Sequence, residues 1–314
     1  MSDKSGIVIR STGSWYAVRE KSGKITDCKL KGSYKIKGIK STNPIAVGDH
    51  VLFSILPDKE TGLIYKISDR KNYIIRKSTN LSKKTHIIAS NIDRAFLIIT
   101  VANPRTSTGF IDRFLVNTEA YDIPCTLVIN KIDLIDEDSI KKLEEIKKIY
   151  SQIGYPIIET SATTHFQIEA LKKEMKGLTC LFSGHSGVGK SALINCLQPN
   201  LDLKTGETSE VHLKGKHTTT FAEMFYLDFD AYIIDTPGIK EYGLTDFNAE
   251  EIGHFFPEIR ELMNDCKFNN CTHEHEPGCA VKIAVDREQI SFERYKNYLN
   301  IMHGDEMDDV DYDD

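Results

Sequence analysis

No stretch of this chain is long and apolar enough to cross a bilayer as a helix. The longest apolar run, AFLIITVA at residues 95–102, spans eight residues, against the ~20 that such a helix needs. The N-terminus, MSDKSGIVIR, lacks the charged-then-apolar layout of a secretory signal, so a cytoplasmic location without a membrane partner is expected. A disulfide framework is missing too, because the seven cysteines are an odd count in a chain without that signal. Cys28, Cys125, Cys180 and Cys196 are scattered, the last three in apolar segments, and read as buried thiols. Cys266, Cys271 and Cys279 fall within 14 residues and need another explanation. There is no internal repeat.

A chain of 314 residues exceeds what one core usually supports, so two or three domains are expected. With 40% hydrophobic and 27% charged residues it reads as soluble and globular. The net charge of −6 is unevenly spread: residues 1–75 hold 14 Lys/Arg against 7 Asp/Glu, whereas residues 246–314 hold 6 against 18. The two ends are suited to different partners, and the basic N-terminal region suits nucleic acid or is an ordinary solvated surface.

Residues 1–75 contain five short segments rich in β-branched and aromatic residues, GIVIR, WYAVRE, KITDCKL, DHVLFSIL and GLIYKIS, separated by turn formers. They predict a small closed β-barrel, OB-fold-like or one of its alternatives, with Trp15 and Tyr16 as candidate exposed aromatics. From about residue 92 the continuous apolar runs IDRAFLIIT, PCTLVIN, PIIET, LTCLFS and AYIID alternate with helical stretches near residues 109–122 and in EDSIKKLEEIKKIYSQIG, whose Ile140, Leu143, Ile146, Ile149 and Tyr150 share one side. Alternating strand and helix predict a parallel doubly wound α/β domain. Residues 246–303 read as mostly helical, closing with SFERYKNYLNIM. The tail GDEMDDVDYDD carries seven acids and no base and reads as disordered.

Residues 184–191 read GHSGVGKS, between the strand LTCLFS and the helix SALINCLQ, the context a phosphate loop needs. In that reading the glycines let backbone N–H groups turn toward phosphate oxygens, and the following helix offers its positive end. Gly184, His185, Ser186, Gly187, Val188, Gly189, Lys190, Ser191 and Ala192 line the loop, with Lys190 reaching the β- and γ-phosphates and Ser191 binding magnesium. The competing reading, a chance glycine-rich turn, does not explain the flanking strand and helix.

Residues 130–133 read NKID straight after a buried strand. A carboxylate accepts two hydrogen bonds from the guanine edge that carries N1–H and the exocyclic amine, and adenine offers no such pair. Asp133 therefore selects guanine, Asn130 holds the loop, and the stem of Lys131 covers the ring. NKID alone is an ordinary polar loop; beside a phosphate loop it points to GTP and GDP. Ser161 and Ala162, after PIIET, fit the loop that completes such a pocket. Residues 235–238 read DTPG: Asp235 is placed to hold magnesium through water and the Gly238 N–H to reach the γ-phosphate. Upstream, KGKHTTT supplies a threonine to close over magnesium, Thr218 as first choice and Thr219 as second.

Ile239 follows DTPG where many GTPases place a water-orienting glutamine. His217 either holds the attacking water or is a solvated loop histidine; the pattern leaves both open. The order of these elements is rotated, with NKID and Ser161–Ala162 preceding the phosphate loop, the threonines and DTPG. The same sheet is built with its chain ends relocated.

Residues 266–279 read CKFNNCTHEHEPGC. Cys266, Cys271, His273 and Cys279 make a closed three-thiolate, one-imidazole zinc site of the structural kind, with His275 as a competing ligand.

NKID, the Ser-Ala pair, GHSGVGKS, KHTTT, DTPG and then C-x4-C-x-H-x5-C, in that order, resemble the ribosome small subunit-dependent GTPase A family of bacteria over nearly the whole chain. The resemblance implies an OB-fold at residues 1–75, a circularly permuted GTPase domain at 76–245 and a helical zinc-binding domain at 246–303, leaving 304–314 as an acidic tail. It implies GTP hydrolysis stimulated by the small ribosomal subunit and a role in late maturation of that subunit; rRNA is the partner expected of the basic barrel with Trp15 and Tyr16, and a monomeric chain is expected. It also implies that His217 assists hydrolysis and that zinc is held by Cys266, Cys271, His273 and Cys279. A GTP-dependent scaffold with negligible turnover is the rival reading. A nucleic-acid-binding protein with a vestigial GTPase domain is a third, opposed by the intact Lys190, Ser191, Asp235 and Asp133.

Overall fold

The computed structural model describes residues 3–31, 44–55, 60–77, 85–201, 222–235 and 247–305. Its strands are β1 (Asp3–Ser11), β2 (Tyr16–Glu20), β3 (Ile25–Leu30), β4 (His50–Ile55), β5 (Gly62–Ile67), β6 (Tyr73–Lys77), β7 (Thr85–Ser90), β8 (Arg94–Ile99), β9 (Cys125–Ile129), β10 (Ile157–Glu159), β11 (Thr179–Ser183), β12 (Glu223–Leu227) and β13 (Ala231–Asp235). Its helices are α1 (Thr108–Ala120), α2 (Glu137–Ile153), α3 (Ile168–Met175), α4 (Lys190–Leu197), α5 (Ala249–Ile252), α6 (Pro257–Arg260), α7 (Ala280–Asp286) and α8 (Phe292–His303). The chain divides into two compact units, one of Met1–Ala95, Glu169–Ser183 and Ile194–Gly243, the other of Phe96–Ile168, Gly184–Leu193 and Leu244–Asp314.

In the first unit the five expected strands pair in the order β1-β2-β3-β5-β4, and β4 returns to β1, closing a barrel. Strand alternation fills it: Thr26 and Cys28 of β3 point inward while Ile25 stands out. Val8, Val18, Cys28, Ile45, Val51, Phe53 and Ile64 form its core. Burial pushes the Cys28 thiol up to about 12, as a buried, inert cysteine requires. Tyr16 belongs to this core as well, 2% exposed, which corrects its reading as a surface aromatic. Tyr16, Ala17 and Val18 of β2 are all buried, and Trp15, just before the strand, is the exposed aromatic at 41%.

Asp49 is fully buried beneath the barrel. It accepts from Arg70 Nε and Nη2, both at 2.6 Å, from Ser90 Oγ at 2.7 Å and from the Ala46 N–H at 2.8 Å. A buried carboxylate is tolerated only with such complete pairing. The same unit holds β13, parallel to β11 and antiparallel to β12, which in turn meets β1 through Arg10 and Glu223. The hairpins β6–β7 and β12–β13 were not among the sequence expectations. The turn between β12 and β13, Asp228 to Asp230, has no Asn-Gly or Asp-Gly signature to mark a hairpin.

In the second unit every residue of β9 is buried, and β10 lies parallel to it, the double-sided burial expected of a parallel sheet. Ser107 caps α1 by accepting from the Phe110 N–H at 3.1 Å. Asp136 caps α2, which ends on Gly154 at φ 100°. Leu143, Ile146, Ile149 and Tyr150 of α2 are buried as expected, but Ile140 is 50% exposed. It lies in the first turn, before the apolar stripe meets the core.

Residues 247–305 are mostly helical, with α5 to α8 around an irregular stretch at 266–279. Ile252, Phe256, Ile259, Val281, Ile290, Tyr298 and Ile301 form a core that includes Val116 of α1. At its centre Arg294 of α8 is 2% exposed. It donates to both carboxylate oxygens of Glu258, at 2.8 and 3.1 Å, and to Asp112 Oδ1 of α1 at 2.6 Å. Tyr150 and Asn297 donate to the same Asp112 carboxylate, each at 2.7 Å. Burial pushes that carboxyl up against the opposing pull of these donors, while the two carboxylates hold the guanidinium charged. Removing one partner of such a pair costs about 3–5 kcal/mol.

Candidate functional site

β11 runs straight into the loop at residues 184–189, and α4 starts at Lys190. The loop path depends on its glycines. Gly184 has φ 148°, and a Cβ there would lie 2.3 Å from the Ile98 carbonyl oxygen. Gly189 has φ 91°, and its Cβ would lie 2.4 Å from Asn130 Nδ2. No side chain fits either place. Val188 anchors the loop in the core. Lys190 Nζ donates to the carbonyl oxygens of Gly184 and His185, so the ammonium sits over the mouth of its own loop. Ser186, Gly187 and Ser191 complete the loop on its more open side. The backbone thus forms a turn with a helix start behind it, the arrangement that binds anions.

The base-reading motif is brought to this loop by one side chain. Asn130, 1% exposed, follows β9 and donates from Nδ2 to the Val188 carbonyl at 2.8 Å, across 58 positions of sequence. Its Oδ1 accepts from Thr160 Oγ1 at 3.2 Å, just after β10. Three loops at the ends of consecutive strands are therefore laced through a single carboxamide. Lys131 takes φ 62° and donates from Nζ to the Asn103 carbonyl at 2.7 Å. Asp133 lies exposed in the short turn Ile132–Leu134. Ser161 is buried, pairs with Phe166 and accepts the Thr164 N–H at 3.0 Å; Ala162 follows at the surface of that turn.

Asp235 ends β13 and stands in register with Phe182 of β11, so the backbone start of DTPG lies beside the strand that opens into the phosphate loop. His217, Thr218, Thr219, Gly238 and Ile239 lie outside the described residues.

Several supporting contacts carried no sequence signal. His185 is buried rather than facing the loop mouth, with Nε2 2.7 Å from Thr106 Oγ1 and its ring edge-on to Phe110. Neither Thr106, Asn103 nor Thr160 falls in a motif. Only Ser107, as a cap before an apolar run, was recognisable in principle.

The cysteine–histidine segment folds into one cluster. The ligand atoms of Cys266, Cys271, His273 and Cys279 all lie within 4.8 Å of one another. His273 Nδ1 is 3.6 Å from Cys266 Sγ and 3.4 Å from Cys279 Sγ, and those sulfurs are 3.9 Å apart. His275 is exposed and turns to Glu274 at 3.4 Å, away from the cluster. Burial pushes Cys279 up, and Cys271 to about 12. A bound cation would oppose that shift at Cys271 and Cys279. The donor set and its spacing can hold a metal ion and fit a closed tetrahedral site. The loop is pinned to α8 by Tyr295 Oη, 2.7 Å from the His273 carbonyl, and Tyr298 Oη, 2.8 Å from that of Thr272.

The family described as RsgA GTPase matches residues 67–245, and that described as RsgA N-terminal domain matches residues 5–64. A small ribosomal subunit biogenesis GTPase RsgA 2 from Bacteroides thetaiotaomicron is 54% identical over 301 residues, covering 96% of this chain and 97% of its own. The RsgA of Flavobacterium johnsoniae is 52% identical over 304 residues, with 96% and 94% covered. Among solved structures, YjeQ from Thermotoga maritima superposes with a TM-score of 0.79 at 36% identity, covering 96% of this chain and 98% of its own. YloQ, a circularly permuted GTPase, gives 0.74 at 30% identity, with 96% and 94% covered. The family models together match residues 5–64 and 67–245, the relatives match over 96% of the chain, and the chain belongs to the RsgA GTPase family.

Proposed function

We propose that this chain binds the small ribosomal subunit and hydrolyses GTP to GDP and phosphate during the late maturation of that subunit, with hydrolysis stimulated by the subunit. The Asn130–Val188 hydrogen bond carries the nucleotide reading, because it joins the guanine motif to the phosphate loop. In this reading Asp133 accepts from the guanine edge, Lys131 covers the ring, and the turn at Ser161 and Ala162 closes the pocket. Residues 184–192 hold the phosphates, with Lys190 toward the β–γ bridge. Ser191, Thr218 and, through water, Asp235 hold magnesium, which neutralises charge developing on the phosphates. The Gly238 N–H meets the γ-phosphate. Zinc is the metal that suits the cluster, with four protein ligands and no open position, and its role there is structural.

Ile239 cannot orient water, so the isolated chain is expected to turn over slowly and His217 to position the attacking water once the subunit is bound. His217→Ala should reduce single-turnover hydrolysis on saturating small subunits by about 10²-fold or more while leaving GTP affinity within twofold. A variant as fast as the unaltered chain would remove His217 from the mechanism. An unaltered chain that the subunit does not stimulate would favour the scaffold reading instead.

The barrel is the proposed rRNA contact. Lys29 Nζ lies 4.3 Å over the exposed Trp15 ring, pairing a stacking surface with a positive charge, as single-stranded RNA recognition uses. Deleting residues 1–75 would also uncover β12, which pairs with β1, so point variants test this better. Trp15→Ala with Lys29→Ala should weaken subunit binding about tenfold or more, from ~1–3 kcal/mol per stacked base, and reduce its salt slope by about one. Equal affinity and equal slope would place the contact elsewhere.

A further inference from the structure

The phosphate loop has little side-chain substance of its own, since Gly184, Gly187 and Gly189 all sit at positive φ. Its shape is fixed by groups outside the motif. Asn130 is one, and His185 leads to a second. The His185 ring is 5% exposed. Its Nδ1 lies 2.9 Å from the Ser186 carbonyl, which can only accept, so Nδ1 carries the proton. Nε2 is then the acceptor for the Thr106 hydroxyl at 2.7 Å. The Thr106 oxygen in turn accepts the Thr100 N–H at 3.0 Å, and the Thr106 N–H donates to the Thr100 carbonyl at 2.8 Å. Thr106 is thereby a fixed post on which the histidine of the loop rests.

That post stands immediately before α1, whose first two turns are gripped by α8. Thr108 donates to Glu293 at 2.7 Å and accepts from Asn297 at 3.1 Å. Asp112 takes Arg294 at 2.6 Å and Asn297 at 2.7 Å. α8 also carries Tyr295 and Tyr298, which hold the cysteine–histidine loop. Hydrogen bonds joined by the backbone of α8 and of residues 106–108 therefore connect the metal-ligand loop through α8 and α1 to the phosphate loop.

We propose that His185 is a positioning residue of the phosphate loop, set through Thr106 by the grip of α8 on the start of α1, so that nucleotide phosphate binding is coupled to the integrity of the cysteine–histidine module. The proposal rests on the reading that residues 184–191 bind phosphate. Coupling of this kind is reciprocal and commonly amounts to 5–150-fold in affinity.

The test is a double-mutant cycle on the full chain, with Thr106→Val at one end and Arg294→Lys at the other, read by binding of fluorescent GDP and by competition with GMP. GMP lacks the β-phosphate that the loop cradles, so misplacing the loop changes the GDP/GMP affinity ratio, whereas general loss of structure weakens both nucleotides alike. Each single variant is expected to weaken GDP by about 5–20-fold, with GMP changed less than twofold. The double variant should fall short of the product of the singles. If Arg294→Lys melts too low to titrate, Thr108→Val replaces it, because that change leaves the ion pair in place. An unaltered GDP/GMP ratio in Thr106→Val, or strictly multiplicative effects, would overturn the coupling. Lys190→Ala separates the two levels: retained GDP affinity in that variant would mean the loop does not bind phosphate, and the proposal would fall with that reading.

Discussion

Replacing Cys271 by Ala is expected to yield protein with less than about a tenth of the normal metal content and a cooperative melt shifted to lower temperature. The size of the effect follows from where the ligands sit. Cys266 and Cys279 belong to the hydrophobic core of the C-terminal helices, and Cys271 packs against it. Metal binding is therefore part of how that core closes. Structural zinc sites of this donor type contribute apparent binding energies of about 10–16 kcal/mol at neutral pH, and that energy is folding energy. Cys271→Ala leaves only three of the four protein ligands that a closed site needs. His275→Ala is the matched control. That ring is exposed and faces Glu274, so metal content and melting should be unchanged. Elemental analysis together with thermal melts before and after chelation gives the answer. An unaltered chain that purifies without metal and is indifferent to chelator would remove the site, and metal lost from His275→Ala would reassign the fourth ligand.

The sequence marked the candidate motifs more completely than the scaffolding around them. NKID, GHSGVGKS and the cysteine–histidine run are legible because each demands particular residue types at fixed spacing, and local backbone geometry follows from them. Asn130 illustrates the limit: the motif marks it as a loop holder, but its partner, the Val188 carbonyl, lies in another motif, and only the fold brings the two together. Thr106 shows the opposite case, a residue with no pattern of its own that becomes decisive because it stands at a helix start beside a buried ring. Tyr16 was misread because hydrophobicity and aromatic character cannot tell which of two adjacent residues points into a barrel. Ile140 failed similarly, since a helical stripe says which face is apolar but not where along the helix the core begins. The Arg294–Asp112–Glu258 network was invisible for a further reason. Charges separated by more than thirty positions meet only through tertiary packing, and a lone arginine in an amphipathic helix reads as solvated.

Guanine selectivity should reside in the Asp133 carboxylate, and Asp133→Asn should lower GTP affinity by about 10²–10³-fold. The group is well placed for this. Lys131 adopts a left-handed backbone conformation and fastens its ammonium to the Asn103 carbonyl, Asn130 is buried against the phosphate loop, and Asp133 alone of the three is left exposed. A carboxylate has only acceptors and can take both N1–H and the exocyclic amine of guanine. Hydrogen bonds to a charged group contribute about 1.5–3 kcal/mol each, so losing one and turning the other toward an amide N–H accounts for the expected drop. The amide now offers a donor, which matches a base carrying a carbonyl in place of the amine. Xanthosine triphosphate should therefore bind the variant better than GTP does, inverting the order in the unaltered chain, and ATP should compete with GTP in neither. Asn130→Asp separates base reading from loop building. It deletes the donor to the Val188 carbonyl and sets two oxygens against each other, so GTP binding should fall there too, yet xanthosine triphosphate should give no rescue. Competition titrations of the three nucleotides against fluorescent GDP measure all of this in one series. If Asp133→Asn still prefers GTP over xanthosine triphosphate, the base is read by another group, and the exposed turn at Ile132–Leu134 is only a surface loop.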